Sequence, residues 1–346
     1  MAGVAIIGTT TWGVTLGVVL ARNGKDVRLW ARTERECTQL KNAQHHADAL
    51  SAITLPPKLS ITTSMPEVLN DADAVIMAVP SQRMRDNIKA VSGYLKGSML
   101  VVSAAKGLEI DSNKRMSQVI ADEISPSFWP NICVHSGPNL SAEILQGLPA
   151  VAVVAAWNEL IARKVQKLLN TPSICLYTNS DVIGVELGGA LKNIIALGAG
   201  IADGLGFGDN AKAALITRGL TEMTALGVAL GANPLTFSGL TGLGDLITTC
   251  SSPLSRNHYV GVELTKGHSL EEIIKSMSGV AEGVSTTVVA HKLAKQLELE
   301  MPVTEKIYKV LYEGLDPKKA SLELMEAEAR HELMGRRWRL FSLFRH

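Results

Sequence analysis

Short apolar runs alternate with helical stripes along the first half of the chain. Val4–Gly8 is an apolar run closed by glycine, and Val14–Arg22 beyond it has helical spacing. Asp26–Arg32, Ala72–Pro80, Ser98–Gly107, Asn131–Pro138, Ala150–Ala156 and Ser173–Ser180 read as further strands. Helical patterns such as Ser81–Leu95 lie between several of them. Near-continuous apolar strands alternating with helices predict a parallel, doubly wound sheet. From Asp181 onward the strand period disappears. Helical patterns cover Val182–Leu205, Asn210–Leu226, Leu270–Met277, Ser285–Leu297 and Thr304–Tyr312. The chain therefore divides into an α/β domain over residues 1–180, an all-helical domain over 181–334 and a short tail over 335–346.

Ligands of a doubly wound sheet bind outside the carboxyl ends of its strands. The first such end reads GTTTWG. In a dinucleotide fold this turn reads GxGxxG, and the helix after it holds the pyrophosphate at its N-terminus. Gly8 and Gly13 stand at the first and third positions, with Thr10 at the second. The Thr10 side chain must turn aside or donate to a phosphate oxygen. The second strand ends on Arg32, with Thr33 next. A cation there suits the 2′-phosphate of NADP, where an acidic residue would grip the ribose of NAD. Lys106 and Gly137 lie at later strand ends and are site candidates by position.

The helix Val182–Leu205 carries Gly184, Gly188, Gly189, Gly198 and Gly200. Glycine costs a helix about 1 kcal/mol relative to alanine. So many of them point to close approach of another backbone or a ligand. Lys192 sits among them, and burial lowers a lysine's pKa towards the range of a proton acceptor. Asp245, in a glycine-flanked turn, follows on the same stretch, with Ser255, Arg256 and Asn257 close behind. A base, a carboxylate, a guanidinium and an amide suit a small phosphorylated alcohol. Glu282, after a loop, either meets the cofactor or caps a helix.

Composition narrows the classes. The chain has 346 residues, 46% of them hydrophobic and 19% charged, enough for two packed domains. Its 34 basic and 33 acidic residues give no case for nucleic acid. No unbroken apolar run reaches the roughly 18–20 residues of a membrane span. The opening strand has no basic leader, so a cytoplasmic location is expected. The 4 cysteines form no CxxC, and no metal site is suggested. His45 and His46 lie in a polar run and read as surface residues.

Three segments are more specific than any of this: LKNIIALGAGIADGLGFGDNAKAALITRG, GLTGLGDLITTC and SRN. Through them the chain resembles bacterial NAD(P)-dependent glycerol-3-phosphate dehydrogenase, from Val4 to about Met334. The resemblance implies a Rossmann-type sheet joined to an all-α domain, as in 6-phosphogluconate dehydrogenase. It implies reversible hydride transfer between sn-glycerol 3-phosphate and dihydroxyacetone phosphate, with NADP preferred or NAD, supplying glycerol 3-phosphate for phospholipid synthesis. Lys192 would be the proton acceptor, and Lys106 would touch both cofactor and substrate. Gly137, Asn139, Asp245, Ser255, Arg256 and Asn257 would bind substrate, Arg256 meeting the cofactor as well. Thr11, Trp12, Arg32, Ser141, Val280 and Glu282 would contact the cofactor. Asn139 stands where many members have serine, and Ser141 where alanine is common. The expected partners are this small substrate and a second copy of the chain as a homodimer.

Two rival readings are another hydroxyacid or ketoacid reductase and a redox-sensing nucleotide binder. The end, GRRWRLFSLFRH, is basic, aromatic and amphipathic, a composition that can rest on an anionic membrane surface.

Overall fold

Alternate residues of a strand point to opposite faces of its sheet. Val4 and Ile6 enter one apolar core while Ala5 and Ile7 enter another on the opposite face. A strand buried on both sides has to be apolar throughout, and so the first half reads as unbroken runs. The computed structural model describes residues 3–42 and 54–326. His45, His46 and the tail lie outside the described residues.

The first half contains β1 (Gly3–Ile7), α1 (Thr11–Arg22), β2 (Asp26–Trp30), α2 (Glu34–Lys41), β3 (Leu59–Thr62), α3 (Met65–Leu69), β4 (Ala72–Met77), α4 (Met84–Ser92), β5 (Leu100–Ser103), α5 (Met116–Glu123), β6 (Ile132–Ser136), α6 (Ser141–Leu145), β7 (Ala150–Ala155), α7 (Glu159–Leu169) and β8 (Ile174–Asn179). The strands form one sheet in the order β3-β2-β1-β4-β5-β6-β7-β8. Pairing is parallel from β3 to β6 and again between β7 and β8, but antiparallel between β6 and β7. The all-parallel expectation is corrected there. The reason is that burial on both faces makes a strand apolar whichever way it runs, so the apolar pattern does not encode the direction of β7.

The second half contains α8 (Val182–Gly204), α9 (Gly208–Ala229), α10 (Pro234–Phe237), α11 (Asp245–Ser251), α12 (Arg256–Thr265), α13 (Leu270–Ser276), α14 (Glu282–Gln296), α15 (Pro302–Tyr312) and α16 (Pro317–Glu326). α8 is the axis: α9, α11, α12 and α14 pack on it, and it also lies against β6. It is long and apolar enough to cross a membrane, yet 94% of its apolar window is buried inside the protein. An unbroken-run criterion passes over it because Glu186 and Lys192 interrupt the run.

The glycines of α8 serve close approach, as expected. A Cβ on Gly188 would meet the Thr241 carbonyl carbon at 3.0 Å, and one on Gly200 would meet the Gly261 Cα of α12 at 3.0 Å. Thr241 belongs to a π-helical turn, Leu240–Gly244, that runs directly into α11. Asp245 therefore begins a helix, not the glycine-flanked turn that the sequence suggests.

Candidate active site

The turn after β1 packs against the end of β4. Gly8 has φ +110°, and a Cβ there would meet the Ala78 carbonyl oxygen at 2.6 Å, so only glycine fits. Thr10 is the N-cap of α1: its hydroxyl accepts from the Gly13 amide at 3.1 Å and donates to the Ala78 carbonyl at 2.8 Å. Of the two options for Thr10, the structure takes the first. Its side chain is turned aside, and its hydroxyl donates to Ala78. The first N–H groups of α1 have no intrahelical partner, and the buried Trp12 Nε1 has no partner among the described residues. The start of α1 lies at the end of β1, where a pyrophosphate is expected. Thr10→Ala removes the cap and should cost about 1 kcal/mol. Melting should fall by a few degrees, while Thr10→Ser, which keeps the hydroxyl, should melt close to wild type. Equal melting of both variants would deny the cap its role.

At the end of β2, Thr33 caps α2, accepting from the Glu36 amide at 3.2 Å. Arg32 is at the expected place, but its guanidinium donates to Glu36 at 2.9 Å.

α8, α11 and the loop after β5 bring Lys192, Asp245 and Lys106 together across 139 residues of sequence. Lys106 Nζ donates to Asp245 Oδ2 at 2.8 Å and to the Gly137 carbonyl at 2.6 Å. Lys192 Nζ donates to Asp245 Oδ1 and, at 2.6 Å, to the Thr249 hydroxyl. One carboxylate thus receives two ammonium groups. The side chains of Lys192 and Asp245 are 7% and 1% exposed. Burial lowers the Lys192 pKa to about 8; Asp245 resists the fall and the Lys106 charge adds to it. The group therefore changes charge near working pH. His135, wholly buried, is held neutral: desolvation and then Lys106 lower it to about 3.

A second layer fixes these lysines. Asn193, next to Lys192, donates from its amide to the Lys106 carbonyl at 3.1 Å and accepts from Asn257 at 2.9 Å. Asn257 in turn accepts from the Gly283 amide at 2.9 Å. Its carbonyl and one N–H are thereby committed to tying α8, α12 and α14 together. Ser255 is the N-cap of α12, accepting from the His258 amide at 3.2 Å. Arg256 donates to the Thr11 hydroxyl at 2.8 Å, joining α12 to the dinucleotide turn. Glu282 opens α14 and reaches across to Ser81, accepting from its amide at 2.9 Å and from its hydroxyl. Burial raises its pKa. Gly137, at φ +126°, and Asn139 follow β6, and Ser141 opens α6. Neither end of the buried Asn139 amide has a partner among the described residues. Val280 is exposed in the loop before α14.

Sequence reasoning passes over Thr249, Asn193 and Ser81. Two of them carried a signal. Thr249 is four residues from Asp245, hence on the same face of α11, and Asn193 adjoins Lys192.

A doubly wound sheet, a glycine-bounded turn at its first strand end, and two lysines on one buried carboxylate at the seam with a helical half define a two-domain Rossmann-type oxidoreductase. Comparison with known proteins narrows this. Residues 3–162 match the model of the NAD-dependent glycerol-3-phosphate dehydrogenase N-terminus, and residues 181–321 match that of its C-terminus. A protein of Dehalococcoides mccartyi named glycerol-3-phosphate dehydrogenase (NAD(P)+) is 65% identical over 346 residues, all of this chain and 96% of its own. A namesake from Bacillus thuringiensis is 44% identical over 333 residues, 96% of this chain and 98% of its own. The crystal structure of glycerol-3-phosphate dehydrogenase from Coxiella burnetii superimposes with a TM-score of 0.86 at 33% identity, covering 94% of this chain and 99% of that one. The chain belongs to the NAD-dependent glycerol-3-phosphate dehydrogenase family.

Proposed function

We propose that the protein interconverts sn-glycerol 3-phosphate and dihydroxyacetone phosphate with NAD(H) or NADP(H). The observation that carries this reading is the buried Asp245 carboxylate shared by Lys192 and Lys106. The relatives' names supply the substrate, and the lysine cluster supplies the chemistry. The cofactor fits the chain at the β1 turn, held by the N–H groups of α1, by Trp12 and by Gly8 and Gly13. When bound, the nicotinamide takes up or delivers the hydride.

The remaining work falls to side chains. In the oxidising direction neutral Lys192 accepts the C2 hydroxyl proton. In the reducing direction charged Lys192 polarises the ketone and then donates. Asp245 orients its Nζ, and Lys106, anchored on the Gly137 carbonyl, supplies a second cation beside the reacting oxygen. Arg256 can bind two phosphate oxygens with its planar fork. The first-turn N–H groups of α12 favour the same anion. Asn139, with its amide unpartnered, would satisfy a substrate polar group. Ser255 and Asn257 then act chiefly by holding α12 in place. Glu282 and Ser81 close the seam beside the cofactor, with Val280 at its rim. Residues 1–180 form the cofactor half and residue 181 onward the substrate half. In this reading the enzyme is a cytoplasmic homodimer that supplies glycerol 3-phosphate to lipid synthesis.

NADH and NADPH oxidation measured with dihydroxyacetone phosphate, beside unphosphorylated dihydroxyacetone, tests the proposal. Turnover is expected with the phosphorylated ketone alone. Equal rates with both ketones would remove the phosphate from the reading and favour a more general ketone reductase.

A further inference from the structure

The end of β2 holds a carboxylate that the proposed reaction does not use. Glu36, in the first turn of α2, accepts from the Arg32 amide at 3.1 Å and from the Arg32 guanidinium at 2.9 Å. It also receives the Thr9 hydroxyl, from the dinucleotide turn, at 3.4 Å. Glu36 thus bridges the two strand ends between which the adenosine ribose of a dinucleotide lies in this fold. Its side chain is 27% exposed, that of Arg32 72%. The carboxylate is the fixed charge, and the guanidinium is the movable one.

We propose that Glu36 sets the balance between the two nicotinamide cofactors, by holding Arg32 and by presenting a negative charge to the ribose 2′ position. This rests on the β1 turn being the dinucleotide site. A 2′-hydroxyl can donate to the carboxylate. A 2′-phosphate, close to two negative charges at neutral pH, meets repulsion until Arg32 leaves Glu36 and turns to it. Arg32 alone predicts an NADP enzyme. The Arg32–Glu36 pair makes a site that admits both cofactors, each at a handicap: NADP must open an ion pair, and NAD gains no cation. Thr9 and the Arg32 amide hold the carboxylate in place, so the charge stays when the guanidinium moves.

Binding of 2′,5′-ADP and 5′-AMP, measured by calorimetry on the whole chain, isolates this from catalysis. Glu36→Gln keeps the length and the acceptor for the Arg32 amide while removing the charge. It should tighten 2′,5′-ADP about tenfold, in line with removing one charge a few ångströms from the phosphate at a surface, and should not tighten 5′-AMP, whose 2′-hydroxyl loses a charged acceptor. Arg32→Gln should move the ratio the other way. The gain in Glu36→Gln should shrink in high salt, because screening weakens the repulsion it relieves. A ratio of the two affinities within twofold of wild type in Glu36→Gln overturns the inference. Failure of the wild type to bind either adenylate overturns the reading of the turn itself, and the inference falls with it. A melting curve of each variant confirms that it is folded.

Discussion

Replacing Lys192 with alanine should lower kcat by roughly 10²–10⁴-fold, the usual contribution of a positioned proton-transfer group. Binding of NADH should be nearly unchanged. Lys192 projects from α8 and donates its hydrogen bonds to Asp245 and Thr249, and Asp245 keeps Lys106 as partner at 2.8 Å when Lys192 is gone. The carboxylate is therefore not left alone in the core, and the fold should survive. The wild-type pH profile carries the same argument. Desolvation places the Lys192 pKa at about 8. Oxidation needs the neutral amine, so its rate should rise with pH through about 8. Reduction needs the ammonium, so its rate should fall through the same value. Lys192→Arg makes the sign explicit. A guanidinium does not lose its proton, so this variant should lose oxidation at every pH while retaining a charge beside Asp245. A near-wild-type kcat in Lys192→Ala would exclude Lys192 as the base.

The site is only partly visible in the sequence, and the reasons are physical. Strand burial on both faces writes itself into the chain as apolar runs, so β1, β4, β5, β6 and β7 are legible; β2 and β8, buried at alternate residues, still carry Val27 and Leu29, or Ile174 and Leu176, in the strand period. β3 is not legible: it is an edge strand of 4 residues, LSIT, with Ser60 exposed. An apolar run carries no direction, which hides the antiparallel step at β7. α12 has only a narrow apolar face: it meets α8 closely at Gly261 and buries Val260 beside it. Lys192 is suspicious on its own helix because glycines surround it. That Lys106 and Asp245 reach it is a fact of packing. The β5 loop, the π-helical turn and α8 converge there, and no local pattern encodes their meeting. Arg32 shows the converse failure. Its position was legible, but the carboxylate that holds it lies four residues on, in the first turn of a helix, and looks like an ordinary capping acid.

Asp245→Asn tests the cluster from its centre. The substitution preserves shape and removes the charge that two lysines share. Breaking a buried pair by removing one partner typically costs about 3–5 kcal/mol, and here two cations are left facing one another. The protein can escape part of this by releasing the Lys192 proton. Its pKa should therefore fall below the wild-type value of about 8, because Asp245 opposes the lowering in the wild type. The pH dependence follows. Below the pKa of Lys192 in the variant, both folded forms carry the ammonium and the Lys192 share of the deficit is complete. Between that pKa and about 8 the variant is already neutral at Lys192 while the wild type is still charged, so the share shrinks. Above about 8 Lys192 is neutral in both proteins and its share is gone. Denaturant unfolding at pH 6 and pH 9 should thus show a larger gap at pH 6. The alkaline rise of the oxidation rate should shift to lower pH, and reduction at neutral pH should weaken as the ammonium is lost. A variant with the same gap at both pH values and an unmoved rate profile would show that Asp245 holds the lysines in place without setting the charge of Lys192.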